Sequence, residues 1–113
     1  MGTRTLELEA WGAYLDRVSR ALGARLAEVE VAALDLGDQV EGNWIPLQGI
    51  AYDRRDDLVE VALEGVDHRV RHPRELHVEE DPAETVRSME IVDAEGRRHI
   101  LRLKAPLALP PPA

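Results

Sequence analysis

Residues 58–80 read LVEVALEGVDHRVRHPRELHVEE, and apolar side chains fall on alternate positions over much of this stretch. Val59, Val61 and Leu63 are separated by Glu60 and other residues of the opposite face, a period of two that is typical of a strand with one buried side. The residues Leu76 to Val78 repeat this spacing. The stretch therefore predicts half-buried strands of a sheet.

The same alternation recurs on both sides of this stretch. Residues 25–33 alternate Ala and Val with Glu, which predicts another strand. Residues 89–103 form two apolar runs joined by Asp-Ala-Glu-Gly, which predicts a hairpin in which Gly96 takes a positive φ. Residues 44–52 contain a proline and a glycine, and this blurred pattern favours an edge strand or a bulged strand.

One segment near the N-terminus has a different period. Leu8, Trp11, Leu15, Val18 and Leu22 follow spacings of three and four, which places one apolar stripe along an α-helix. The glycine that follows provides a left-handed C-terminal position. The stripe needs a partner surface, because a helix of this length depends on packing for its stability.

Together these patterns predict an α+β fold, with one N-terminal amphipathic helix packed on a mainly antiparallel sheet of about six short strands, because the short connections leave no room for parallel crossovers. Residues 1–105 are expected to form a single domain. Residues 106–113 contain a run of three prolines and are expected to form a proline-rich C-terminal tail.

The composition narrows the class of protein. Apolar residues make up 44% of the chain and charged residues 32%, the formal net charge is −8, and there is no cysteine. A chain this acidic is a poor partner for nucleic acid, and it contains neither a disulfide framework nor a thiolate metal site. It has no apolar run long enough for a membrane span. We therefore expect a soluble cytoplasmic protein that binds neither nucleic acid nor membrane.

The densest group of titratable side chains lies in DHRVRHPRELHVEED, residues 67–81. His68 and His72 have the spacing of a helical metal site, but Pro73 disfavours a helix at the preceding residue. In an extended strand the two rings are about 13 Å apart, too far to share one ion. His77 belongs to the other face of such a strand. A composite site that adds His99 from a neighbouring strand stays open, and it would make the chain a metal- or small-ligand-binding protein.

The other charged and hydroxyl residues have structural interpretations, and cross-strand ion pairs are favoured over a metal site in the histidine stretch. The arginines of the histidine stretch are expected to form cross-strand ion pairs with acids; they are Arg69, Arg71 and Arg74. Ser19 and Ser88 are the only serines, and neither lies in a nucleophile elbow. The aspartates of the predicted turn favour turn formation and lack calcium-loop spacing; they are Asp53, Asp56 and Asp57. The sequence thus offers no catalytic residue and no cofactor motif, and favours a protein that is not an enzyme.

An apolar run near the predicted edge provides the candidate interface, which comprises Trp44, Ile45, Pro46 and Leu47. An exposed patch of this kind marks an interaction surface, whereas a buried one would close one end of the core. The leading hypothesis is a non-enzymatic protein-interaction module that pairs with another protein or with itself as a homodimer. A third hypothesis is an assembly that responds to pH through its histidines.

Three stretches carry a resemblance to a known family: AWGAYLDRVSR (10–20), WIPLQGIAYDRRDDLVEVALEGVDHRVRHPREL (44–76) and MEIVDAEGRRHILRLKAPLALP (89–110). In these the chain resembles a family of short bacterial proteins catalogued as a domain of unknown function. The resemblance implies that the central segment is a family hallmark and that the proline-containing end belongs to the usual length. It implies no reaction, cofactor or site residue.

Overall fold

The fold was obtained as a computed structural model. It describes residues 2–23, 25–33, 37–83 and 85–109, without the side chains of residues 37–43. These residues form eight strands and one helix. In chain order they are β1 (Gly2–Leu6), α1 (Leu8–Ala21), β2 (Leu26–Ala33), β3 (Gly37–Asp53), β4 (Leu58–Leu63), β5 (Val66–Arg71), β6 (Pro73–Glu80), β7 (Thr85–Asp93) and β8 (Arg98–Ala108).

The sheet order is β1-β6-β7-β8-β2-β3-β4-β5, and every pair of neighbours is antiparallel. The predicted α+β class with about six strands is therefore wrong, because the chain is predominantly β with eight strands among the described residues. The antiparallel arrangement and the single N-terminal helix are confirmed. The predicted hairpin near Gly96 is also present, and Gly96 has a φ of 83°.

The strands divide into two sheets that share β3. Up to Pro46, β3 pairs with β2, and from Leu47 onward it pairs with β4. The first sheet thus contains β1, β6, β7, β8, β2 and the first half of β3. The second contains the rest of β3 with β4 and β5. Trp44 has a φ of 55° just before this change of partner. We call Trp44–Pro46 the Trp44 corner.

The chain passes between the two sheets a second time at His72. This residue alone separates β5, in the second sheet, from β6, in the first, and it has a φ of 53°. Its carbonyl oxygen accepts a hydrogen bond from the Ala94 amide, at 2.9 Å, in the turn between β7 and β8. We call the segment Arg71–Pro73 the His72 corner.

The helix α1 packs on the sheet with most of its predicted apolar stripe, whereas Leu8, the first residue of that stripe, is 43% exposed. Trp11, Leu15 and Val18 are at most 2% exposed, and the Trp11 ring meets Tyr52 of β3 edge to face with ring centres 5.2 Å apart. The core against which it packs is built of aliphatic residues from both sheets. Burial of this stripe supplies the packing on which a helix of this length depends.

The C-terminal part of the chain continues the sheet beyond the boundary predicted from the prolines. The last residues of β8 are Pro106, Leu107 and Ala108, and Leu107 is only 1% exposed. The Arg25 guanidinium donates to the Pro106 carbonyl oxygen, with Nε at 3.3 Å. Residues 110–113 of the predicted tail lie outside the described residues. Within the described chain, α1 is too short and too polar to cross a membrane.

Candidate functional site

Three buried polar side chains from three strands form one hydrogen-bonded line. Asp93 Oδ2 lies 2.9 Å from His99 Nε2, and His99 Nδ1 lies 2.8 Å from His68 Nε2. The exposed fractions of Asp93, His99 and His68 are 7%, 8% and 6%. We call these three residues the Asp–His–His line. It joins β5 of the second sheet to β7 and β8 of the first.

Strand register explains how these residues come together. His68 lies on the inward face of β5 and pairs with Val61 of β4. His99 lies on the inward face of β8, between Ile91 of β7 and Val31 of β2. Because the two corners bring the sheets face to face, inward residues far apart in sequence can meet. The line therefore depends on the tertiary fold, not on a local motif.

Asp93 is fixed by the turn that follows β7. Its Oδ1 accepts the backbone amides of Glu95 at 2.9 Å and Arg97 at 3.0 Å. This is the side-chain role that makes Asp favourable in turns. The same carboxylate thus closes the β7–β8 hairpin with one oxygen and holds the His99 ring with the other.

Burial and hydrogen bonding act in opposite directions on these groups. Burial lowers the pKa of His99 below its ordinary value, and the neighbouring His68 ring lowers it further, against the opposing effect of Asp93. Burial also acts to raise the pKa of Asp93. However, the hydrogen bonds from His99, Arg97 and Glu95 together outweigh burial, and they hold the pKa of Asp93 below its usual range. Asp93 is therefore a carboxylate near neutral pH.

The other two histidines lie elsewhere. His72 Nδ1 is 3.2 Å from Asp57 Oδ2 at the exposed His72 corner. His77 Nδ1 is 2.8 Å from Thr5 Oγ1, and His77 Nε2 is 2.9 Å from Glu75 Oε1. The structure thus brings together two of the four candidate histidines and separates the other two. Within the described residues there is no group of three side chains suited to a metal ion.

The candidate interface separates into a buried and a half-buried part. Leu47 is 1% exposed and belongs to the core, whereas the Trp44, Ile45 and Pro46 side chains are half-buried. The Lys104 ammonium lies 5.8 Å from the centre of the Trp44 ring. Only the corner side of the predicted patch is therefore accessible to a partner.

A shallow cleft of about 390 Å³ adjoins Trp44. It is lined by Arg25, Leu26, Lys104 and Ala105. Leu26 is paired with Pro46 across β2 and β3, and Lys104 contacts the Trp44 ring. We call this cleft, together with the Trp44 ring, the Trp44 cleft. Leu26 and Ala105 provide its apolar lining, which we call the floor, and Arg25 and Lys104 provide its cationic lining, which we call the rim.

A second depression, of about 400 Å³, lies on the first sheet. Four of the polar side chains that line it are paired with one another. Ser88 donates to Glu79 at 2.9 Å, and Arg98 forms two hydrogen bonds with Glu90, at 3.0 and 2.9 Å. This arrangement is that of cross-strand pairs, which fix register on a solvent-facing sheet.

The remaining predicted residues have structural contacts. Ser19 Oγ donates to the Ile50 carbonyl oxygen at 2.7 Å and accepts the Ile50 amide at 2.9 Å, which fastens α1 to β3. Asp53 accepts the Asp56 amide at 3.1 Å in the turn between β3 and β4. Arg69 pairs with Glu60 at 3.3 Å, one of the expected cross-strand pairs. The sequence did not indicate a tertiary contact for Ser19, because its partner is the backbone of Ile50.

Comparison with known proteins gives a family. The model of a family described as "Family of unknown function (DUF5335)" matches residues 2–112. The chain belongs to this family. The resemblance noted from the sequence is confirmed, and it extends over nearly the whole DUF5335 chain.

One relative shows how far this family likeness extends. An "Uncharacterized protein" of Aquifex aeolicus (strain VF5) is 40% identical over 111 residues, which covers 97% of this chain and 99% of the relative. No solved structure matches this DUF5335 protein. Both matches cover nearly the full length of the chain. Neither assigns an activity to the Asp–His–His line or to the Trp44 cleft.

Proposed function

We propose that this protein is a non-enzymatic interaction module, and that its Trp44 cleft binds an extended acidic segment of another protein. The observation that carries the proposal is the cleft itself. An apolar floor with a half-exposed tryptophan and a cationic rim occurs on a chain with a net charge of −8.

The charges of the cleft indicate the chemistry of the partner. Lys104 is the only lysine of the chain, and its ammonium contacts the Trp44 ring. It forms no ion pair with any of the described residues. Arg25 also lines the cleft, and its guanidinium donates hydrogen bonds to the carbonyl oxygens of Leu22 and Pro106. Acidic side chains complement this rim.

The floor of the cleft indicates a second requirement. Leu26 is half-buried and Ala105 is exposed, so both are available to an apolar side chain. Trp44 lies beside the cleft and Arg25 lines it, and tryptophan and arginine are residue types that contribute strongly to binding. A segment in which acidic and apolar residues alternate would satisfy the rim and the floor together.

Fluorescence anisotropy with designed peptides tests this. The probe is a short fluorescein-labelled peptide in which Glu alternates with Leu, and the comparison peptides carry Lys in place of Glu or Ser in place of Leu. The Glu–Leu peptide should bind best, and added salt should weaken it because the contributing charges are exposed. Amide shifts in heteronuclear spectra should map the peptide to residues around Trp44 and Lys104.

A matched pair of variants locates the site. Lys104→Glu should weaken binding of the Glu–Leu peptide about tenfold, which corresponds to about 1.4 kcal/mol. Arg69→Glu makes the same charge change on β5, away from the cleft, and should leave the affinity within about twofold. The proposal is wrong if the three peptides bind equally, if none binds, or if both variants weaken binding to the same extent.

A further inference from the structure

The strand β5 lies at one end of the sheet order, so that among the described residues only one of its two sides has a neighbouring strand. It pairs with β4 in unbroken register, and it contains no proline. A regular edge strand is a template for pairing with another chain, and sheets usually protect such an edge with a bulge, a proline or repulsive charges. Because β5 has neither a bulge nor a proline, its charges decide what can pair with it.

The backbone groups of alternate β5 residues point away from β4. In an antiparallel pair, residues that exchange backbone hydrogen bonds alternate with residues that do not. The His72 amide donates to the Asp57 carbonyl oxygen at 2.9 Å, and this bond continues the β4–β5 register and fixes the alternation. The even-numbered residues of β5 therefore bond β4. The odd-numbered residues direct their amides and carbonyl oxygens outward, and we call them the β5 edge; they are Asp67, Arg69 and Arg71.

The side chains of the β5 edge are exposed as well. Arg69 is bound to Glu60 of β4 at 3.3 Å, so its charge is balanced within the chain. Asp67 and Arg71 form no ion pair with any of the described residues. The edge thus has a balanced charge at its centre, an unbalanced negative charge before it and an unbalanced positive charge after it.

This order of charges is complementary to itself when the strand is reversed. In a two-fold dimer the same surface of each copy faces the other, and two copies of one edge strand run antiparallel. With Arg69 on the two-fold axis, Asp67 of each copy stands opposite Arg71 of the other. We propose that two copies of this chain form a homodimer by pairing their β5 edges in this register. The second sheets of the two copies, each built from β3, β4 and β5, are then continuous.

The neighbouring registers satisfy the edge less well. Only the register centred on Arg69 gives backbone partners to all three residues of the β5 edge. The next register in one direction places Arg69 opposite Arg71 of the other copy, and like charges directly opposite each other are unfavourable. The next register in the other direction places Asp67 opposite Arg69, whose charge Glu60 already balances, and leaves Arg71 without an opposite charge. The centred register therefore has the most backbone bonds and two Asp–Arg pairs.

The edge strand at the other end of the sheet lacks this complementarity. β1 contains one charged residue, Arg4, and its guanidinium is bound to Glu80 at 2.7 Å. Pairing of β5 with β5 is therefore favoured over pairing of β5 with β1 of another copy, which would continue into an open chain of molecules. One strand from each copy makes a small interface, so the dimer should dissociate in the micromolar range.

Sedimentation equilibrium of charge variants tests the pairing. Asp67→Arg alone and Arg71→Asp alone each place like charges opposite each other in a homodimer, so each should weaken association about tenfold. Mixed together, the two variants face opposite charges at both positions and should associate as well as the wild type. Arg87→Asp changes an exposed residue of β7 and should leave association unchanged. An effect of net charge alone predicts the reverse for Asp67→Arg, because that variant reduces the net charge of −8.

Three results would overturn the proposal. The first is a wild-type chain that stays monomeric up to millimolar concentration, which would leave the β5 edge for a strand of some other protein. The second is a mixture of the two charge variants that associates no better than either variant alone. The third is assembly that continues beyond a dimer, as pairing of β5 with β1 would produce.

A crosslink tests the register with both Asp–Arg pairs kept, and decides the matter should a charge variant fail to fold. The chain has no cysteine, so one introduced thiol reports one position. Facing Cα atoms of a bonded antiparallel pair are about 5.5 Å apart, a distance that a disulfide spans. With oxidised glutathione, Arg69→Cys should form a covalent dimer, whereas Arg87→Cys should not. Equal crosslinking of the two variants, or none of Arg69→Cys, would contradict pairing through the β5 edge.

Discussion

The Trp44 corner and the His72 corner meet the same backbone requirement in different ways. At each, a residue other than glycine has a φ near 54°, with values of 55° and 53°, where the chain passes from one sheet to the other, and a proline follows within two residues. Non-glycine residues rarely occupy this region. The sheets thus close on each other at two strained points.

The difference lies in what holds each corner. The His72 corner is tied by a backbone bond to Ala94, by the Asp57 side chain and by the buried Asp–His–His line beside it. The Trp44 corner is anchored further along β3, where Ser19 holds Ile50, and its own tryptophan is left half-exposed beside Lys104. One corner is therefore closed by polar bonds, and the other leaves side chains available for binding.

The largest effect is expected from Asp93→Ala. The substitution leaves the His99 ring and two turn amides without their acceptor in a buried place, so we expect a loss of about 3 kcal/mol in the free energy of unfolding, measured by urea titration. Asp81→Ala is the matched control, since Asp81 accepts the Ala83 and Thr85 amides but no buried ring. If Asp93→Ala costs no more unfolding free energy than Asp81→Ala, the buried contact with His99 does not stabilise the His72 corner.

Ser19→Ala tests the anchor behind the Trp44 corner. The two-way contact with Ile50 would be lost, and the β3 backbone groups would be left unsatisfied beneath α1, so the expected loss is about 2 kcal/mol. Ser88→Ala removes a hydroxyl that binds the Glu79 side chain on the sheet surface, and its effect should be smaller. Thermal unfolding of the two variants side by side measures the difference. Equal effects would show that Ile50 finds another partner.

The pH dependence of stability tests the Asp–His–His line beside the His72 corner. The pKa of His99 is lower in the folded chain than the value of about 6.5 of an unfolded histidine. The unfolded state therefore binds more protons as the pH falls. Stability from this group is complete above about pH 6.5 and is lost below it, by at most about 1.4 kcal/mol per pH unit.

Urea titrations at pH 8, 6.5 and 5 measure this dependence. His77→Gln, which removes a histidine outside the line, is measured alongside. A stability that rises as the pH falls from 6.5 to 5 would have the wrong sign for a histidine buried in this way.

The smallest effect concerns the backbone at both corners. Glycine has no steric penalty at positive φ, so Trp44→Gly should be more stable than Trp44→Ala, and His72→Gly more stable than His72→Ala, each by about 1 kcal/mol. Comparing Gly with Ala at one position cancels the lost side-chain contacts. If Ala is the better residue at either corner, that corner does not have the left-handed conformation described.

The sequence predicted the elements whose patterns are local. The α1 stripe, the alternation of β4 and the turn at Gly96 each follow from spacing within a few residues. β1 was missed because Gly2–Leu6 is exposed except at Leu6 and so has no alternating apolar face. β3 was blurred because a strand that changes sheets at the Trp44 corner also changes the surfaces that its side chains contact. The omission of β1, and of β5 as a strand separate from β6, left the predicted count at about six instead of the eight observed among the described residues.

The Asp–His–His line could not be predicted from local spacing either. Spacing placed His68, His72 and His77 apart along extended chain, and the structure gives each a different partner. The contact between His68 and His99 joins residues 31 positions apart, and it exists only because two corners face the sheets toward each other. Sequence spacing left His99 as an open possibility, and nothing in it pointed to Asp93 as the residue that holds the ring.

A double-mutant cycle between His68 and His99 tests most directly whether this buried contact joins the two sheets. Unfolding free energies of His68→Ala, His99→Ala and the double variant should deviate from additivity by more than about 1 kcal/mol, as expected for residues in direct contact. A parallel cycle between His68 and His77 should be additive within about 0.5 kcal/mol. Additivity in the first cycle would contradict the claim that this pair fastens one sheet to the other.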